Sequence, residues 1–183
     1  MITAALLEGD PPEHYDRIVV GVDPAGGGRS LTGIVAAARK GDHAYILADE
    51  SGAYSPDAWG KKVVATYDRL EADRIVAERN FGADMVEHVI RQTDSSVSLK
   101  TVTASKAKLI RAEPIAALYE QGRVHHVRPF PELEEQMTTY VPGESDSPDR
   151  MDAMVWAVTE LLIDQEQGTI GLQFGQGYQI SSV

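Results

Sequence analysis

The sequence has no cysteine. A disulfide scaffold and thiolate zinc sites are therefore excluded, and the chain fits a reducing compartment. No apolar run approaches the length of a membrane span. The first sixteen residues, MITAALLEGDPPEHYD, have neither a basic start nor a long apolar core, so they do not read as a secretory signal. Positive charge is also scarce: 17 lysines and arginines stand against 28 aspartates and glutamates, for a net charge of −11. Taken alone, that argues against a nucleic-acid partner, because Lys and Arg neutralise phosphates. What is present is ordinary. With 43% hydrophobic and 25% charged residues, the 183-residue chain reads as one soluble globular domain with a sizeable core.

The distribution of charge says more than its sum. Residues 100–128 carry Lys100, Lys106, Lys108, Arg111, Arg123 and Arg128 against Glu113 and Glu120. Residues 132–152 carry seven acids against Arg150. A basic segment followed by an acidic one fits an electrostatic footprint beside a metal site. Solvated helix faces are the simpler account of any one charge run.

Residues 1–16 read as a leader, 17–163 as the domain, and the Gly- and Gln-rich 164–183 as a tail. Within the domain, RIVVGVD (17–23), LTGIVAAA (31–38) and HAYILADE (43–50) read as strands, the last two joined by a Gly-Asp turn. The period then changes. Ser55 and Pro56 open a helix with Trp59, Val63, Tyr67 and Leu70 on one face. DRIVAE returns to strand, GADMVEHVIRQ to helix and SLKTVTA to strand. SKAKLIRAEPIAALYEQG is a helix ended by Gly122, with Pro114 expected to kink or divide it. RVHHV is a short extended piece, PELEEQMTTY a short helix, and RMDAMVWAVTELLID an apolar helix starting near Ser147 and Pro148. The elements predict an α/β fold: a mixed five-stranded sheet, three antiparallel strands followed by β-α crossovers, with helices on both faces. That is the element order of ribonuclease-H-like folds.

VDPAGGGRS (22–30) resembles a phosphate loop but lacks the lysine of G-x-x-x-x-G-K-[ST], and a strand follows it, not a helix. Leu31 stands where the dinucleotide fingerprint needs its third glycine. Attention therefore moves to Asp23. A buried strand ending in a carboxylate needs a reason, because a lone buried carboxylate is costly. Glu78 ends the fourth strand in the same way, and the topology sets that strand parallel to the first. Asp149 and Asp152 stand three apart at the start of the last helix. The helix dipole alone accounts for acids there, more readily for Asp149 than for the apolar-flanked Asp152. Acids drawn from distant points suit a hard cation such as Mg²⁺, bound through oxygen at about 2.0–2.1 Å. Two ions about 3.5–4 Å apart can activate water and stabilise the leaving oxygen in phosphodiester hydrolysis. On this reading the glycines keep space open beside Asp23. His125 and His126 are strand neighbours that point to opposite faces, so they are left out of a shared metal site.

VVGVDPAGGGRSLTGIVAA, YSPDAWGKKVVATYDRLEADRIVAERNFGADMVEHVI, KAKLIRAEPIAALYEQGRVHHV and SPDRMDAMVWAVTELL together resemble the C-terminal nuclease domain of large terminase subunits. These are DNA-packaging motors of tailed bacteriophages and gene-transfer-agent-like particles. The resemblance covers roughly residues 17–163 and lies in the order and spacing of the motifs. It implies a metal-dependent endonuclease that cuts concatemeric double-stranded DNA in the host bacterial cytoplasm, using two Mg²⁺ or Mn²⁺ ions. Carried over by motif, Asp23, Glu78 and Asp152 are the catalytic, metal-binding acids, with Asp149 a fourth. Asn80 and Asp84 fall in the motif after the second acid, where Ala83 replaces a glycine of the family pattern. Lys106, Lys108 and Arg111 are candidates for the DNA backbone, a solvated helix face being the alternative. The partners implied are the ATPase domain of the same subunit, the portal and the small terminase. The ATPase's Walker A motif is not found, so the chain reads as an isolated nuclease domain, expected to be a monomer. Two other readings stand beside this one: another ribonuclease-H-like nuclease of resolvase or transposase type, or a non-catalytic docking module.

Overall fold

Strand β1 (Arg17–Asp23) is built from the β-branched run Ile18, Val19, Val20 and Val22, and it lies inside the sheet. The computed structural model describes residues 10–24, 31–79, 83–103, 108–141 and 147–164. Several expectations lie outside these residues: the leader up to residue 9, Gly26 to Gly28, Asn80, Lys106 and the tail from residue 165. The side chains of Asp84 and Lys108 also lie outside them.

The antiparallel meander is as expected. β1 pairs with β2 (Gly33–Lys40), and β2 with β3 (His43–Asp49) across a tight turn in which Gly41 takes φ +60°. Helix α1 (Pro56–Arg69) starts where the sequence signals it. Ser55 caps it by accepting the Ala58 N–H at 3.4 Å, and Pro56 follows. β4 (Arg74–Glu78) lies parallel to β1. Then come α2 (Ala83–Thr93), β5 (Leu99–Val102) and α3 (Lys108–Glu120).

Two expectations are corrected. Pro114 does not divide α3, which runs through it. The helix ends at Gly122 as expected, in a paired C-terminal motif: Gly122, at φ +67°, donates its N–H to the Tyr119 carbonyl at 3.0 Å, and Arg123 donates to Leu118 at 2.9 Å. The sheet also has six strands, not five, in the order β5-β4-β1-β2-β3-β6. The sixth, β6 (Val124–His126), is the short extended piece, lying parallel to β3. Three residues are too few for a period to show in the sequence. Helices α4 (Pro131–Thr139) and α5 (Asp149–Val158) follow, and α5 continues into a π-helical turn, Thr159–Ile163.

The sheet separates two cores. On one face Val20, Val22, Ile34 and Ile75 pack against Trp59 and Val63 of α1 and Val86 and Ile90 of α2. On the other, Val19, Val35 and Val76 pack against α3, α4 and α5. α5 lies very close to β1 and β2. A Cβ on Gly21 would run into the Ala153 carbonyl, and one on Gly33 into the Asp149 carbonyl. These two glycines therefore set the depth at which the first turn of α5 sits.

His126 is fully buried beneath this second core. It lies 2.8 Å from the Tyr119 hydroxyl through Nε2 and 2.9 Å from Glu134 Oε1 through Nδ1. Burial lowers its pKa below the ordinary imidazole value of 6.5, and the raising effect of Glu134 does not overcome that. The unfolded chain therefore takes up this proton first. The resulting stability is complete above about pH 6.5 and is lost as the pH falls through the depressed value. Thermal unfolding between pH 7 and 5 should show the loss, with a slope from this group of at most about 1.4 kcal/mol per pH unit. His126→Gln should flatten that slope; a slope unchanged in the variant would assign the effect elsewhere.

Candidate active site

β1 and β4 are paired in register from Val19 with Arg74 to Val22 with Ala77. The next position on each strand carries Asp23 and Glu78. Side chains alternate along a strand, so both acids share the face of Val19 and Val76, the face that α5 covers. Asp23 is also paired with Gly33 of β2, on whose open face the Asp149 backbone rests. Asp149 and Asp152 thereby meet the sheet at the end where β1 and β4 finish. All four carboxylates are buried, with exposures of 5% for Asp23, 6% for Glu78, 5% for Asp149 and 2% for Asp152.

Asp149 Oδ2 accepts the Leu31 N–H at 2.8 Å, tying the entry of β2 to the start of α5. Gln136 of α4 supports the same helix start, its Oε1 accepting the N–H groups of Arg150 at 3.0 Å and Met151 at 3.3 Å. Arg150 in turn pairs with Asp49 at 2.7 Å. Helix α5 is therefore anchored by polar contacts at its N-terminus and by apolar burial along its length.

Glu78 has two partners on one oxygen. Oε2 accepts the Trp156 indole N–H at 2.8 Å and lies 3.2 Å from Arg111 Nη1. Arg111 Nη2 lies 3.7 Å from Asp152 Oδ1. The guanidinium sits 4.5 Å above the Trp156 ring, and its side chain is 10% exposed. Arg111, a candidate for the DNA backbone or for a solvated helix face, turns toward the carboxylates in the structure. Among the described residues, no three acidic or imidazole side chains stand in an arrangement that could hold a metal ion in this conformation. The donor set nonetheless fits a hard divalent cation in kind: buried carboxylates from two strands and one helix, two of which, Glu78 and Asp152, already stand beside a positive charge. His125 and His126 point apart as expected. His125 stacks on His43, with Nε2 2.9 Å from its Nδ1, while His126 is buried.

Two features escaped the sequence reading. Trp156 follows Asp152 by four residues, so both belong to one face of α5; the spacing was visible but the indole's hydrogen bond was not. Glu160, 4% exposed, lies in the π-helical turn and accepts three cations: Arg17 at 2.7 Å, Arg74 at 3.0 Å and Lys100 at 2.6 Å. They come from the starts of β1, β4 and β5, the opposite end of the sheet from the acids. Lys100 also pairs with Asp164 at 2.8 Å. The basic run 100–128 is therefore no single surface: Lys100 goes to this cluster and Arg111 to the carboxylates.

A mixed sheet with α5 laid across β1 and β2, and acids at the ends of adjacent parallel strands, defines a ribonuclease-H-like α/β domain. The chain belongs to the terminase RNaseH-like domain family, whose model matches residues 20–161. No curated protein sequence matches it. Among solved structures, it resembles the large terminase nuclease of thermophilic phage G20c, with TM-score 0.63 and 13% identity over 88% of this chain and 94% of that one. The same nuclease with bound magnesium matches with TM-score 0.64 and 13% identity, over 88% of this chain and 93% of that one. The human cytomegalovirus terminase nuclease domain, soaked with manganese, matches with TM-score 0.59 and 18% identity, over 80% of this chain and 85% of that one. A large terminase from another thermophilic bacteriophage matches with TM-score 0.65 and 13% identity over 83% of this chain. The match covers 41% of that protein's length.

Proposed function

We propose that this chain is a metal-dependent DNA endonuclease domain of a viral large terminase, cutting concatemeric DNA during genome packaging. The observation that carries the reading is the convergence of Asp23 and Glu78, in register on adjacent parallel strands, with Asp152 on the helix packed across them. Family membership, the magnesium-bound structure of one relative and the manganese-soaked structure of another support it. Asp23, Glu78 and Asp152 would hold two Mg²⁺ or Mn²⁺ ions, with Asp149 as a candidate fourth acid. When bound, the ions would supply an activated water and stabilisation of the leaving oxygen. The chain's own part is to hold its carboxylates at a fixed spacing on rigid elements and to keep them largely out of bulk water. Lys106, Lys108 and Arg111 would contact the DNA backbone, Arg111 only after leaving the acids. In the complete motor, the ATPase domain, portal and small terminase would be its partners, in the host cytoplasm. Among the described residues, no helix is long and apolar enough to cross a membrane.

Conversion of supercoiled plasmid to nicked and linear forms tests this. Cutting should require Mn²⁺ or Mg²⁺ and stop with EDTA. The Arg111 ion pairs favour one second reading, a docking module whose acids are structural. Complete absence of cutting at saturating Mn²⁺ would favour it.

A further inference from the structure

We infer that Arg111 is a built-in counter-ion that occupies the cation position of the resting site and must be displaced before metal binds; this rests on the nuclease reading above. The guanidinium bridges acids from two separate elements, Glu78 of β4 and Asp152 of α5, and is carried by a third, α3. Carboxylates this buried repel one another unless a positive charge stands between them. Arg111 supplies that charge and is guided into place by the face of Trp156. Trp156 and Arg111 both engage Glu78 Oε2, so they occupy one oxygen of a carboxylate that would help hold a metal.

The seat is not a closed one. The contact to Asp152, at 3.7 Å, is beyond hydrogen-bond length. Arg111 Nε is buried and makes no hydrogen bond to any described group. Here the shorter contact is to one acid, so a divalent ion that draws on Glu78 competes directly with the guanidinium for that carboxylate. The device offsets part of the negative charge of the site without metal and makes metal affinity a competition.

Calorimetric titration with Mn²⁺ tests the competition. Arg111→Met should bind Mn²⁺ roughly tenfold more tightly than the parent, the equivalent of about 1.4 kcal/mol. Arg111→Lys, which keeps the charge but loses the planar fork, should fall between them. Without metal, Arg111→Met should melt lower than the parent and recover with Mn²⁺. A second measurement does not depend on that variant folding. Mg²⁺ should change the tryptophan emission of the parent as Arg111 leaves Trp156. Trp156→Phe, keeping only Trp59 on the other face of the sheet, should show no such change. Unchanged or weaker Mn²⁺ affinity in folded Arg111→Met, or a parent emission indifferent to saturating Mg²⁺, would overturn the inference. No stoichiometric Mn²⁺ on any form would overturn both it and the nuclease reading. Tighter binding in Arg111→Met by a protein that cuts no DNA would uphold the counter-ion and overturn only the nuclease reading.

Discussion

Asp23→Asn should lower the rate of metal-dependent plasmid nicking by about a thousandfold or more while the protein stays folded. Asparagine keeps the size of the side chain and one oxygen but removes the negative charge. If that charge anchors a divalent ion, its loss removes several kcal/mol of transition-state stabilisation, and about 4 kcal/mol corresponds to a thousandfold. The fold should tolerate the change, because crowded buried carboxylates repel one another. The melting temperature without metal should therefore be equal to or above that of the parent, and the rise produced by Mn²⁺ should be smaller. Nicking at the parental rate would remove Asp23 from the site. A collapsed melting temperature would instead make it a structural acid.

The second large effect concerns stability. Gly21→Ala places a methyl group against the Ala153 carbonyl of α5, and backbone cannot swing aside as a side chain can. Overpacking of this kind costs about 1–3 kcal/mol, and a backbone contact belongs at the upper end. For a chain of this length that is a fall of roughly 6–12 °C in melting temperature. The same argument holds for Gly33→Ala, which meets the Asp149 carbonyl. Because both glycines set the seat of α5, nicking should drop as well, through displacement of Asp152. A Gly21→Ala protein that melts with the parent would show that α5 can lift off the sheet at no cost.

The difference between these two predictions shows what the sequence made legible. Asp23 and Glu78 announce themselves, because a β-branched run that ends in an acid is a local anomaly. The parallel pairing of β1 and β4 followed from element order, and the observed register puts the two acids level. Gly21 was visible only as a gap in the side-chain pattern. That it receives the Ala153 backbone is a fact of packing between residues 132 positions apart, beyond any local period. β6 was too short to show its pairing. Helix position and charge leave Arg111 open between the DNA backbone and a solvated face, and its turn toward Glu78 depends on where α3 lies over the sheet. Glu160 illustrates the same limit. A lone acid in WAVTELLI marks something unusual, but its three cations stand 60 to 143 residues away.

The central claim is that Asp23, Glu78 and Asp152 form one metal site. Crystals grown with Mn²⁺ and measured at the manganese absorption edge test it most directly. The account predicts a pair of anomalous peaks among these three carboxylates, with the Arg111 guanidinium withdrawn from Glu78. Fully bound protein with no peak there, or with manganese seated elsewhere and Arg111 still on Glu78, would contradict it.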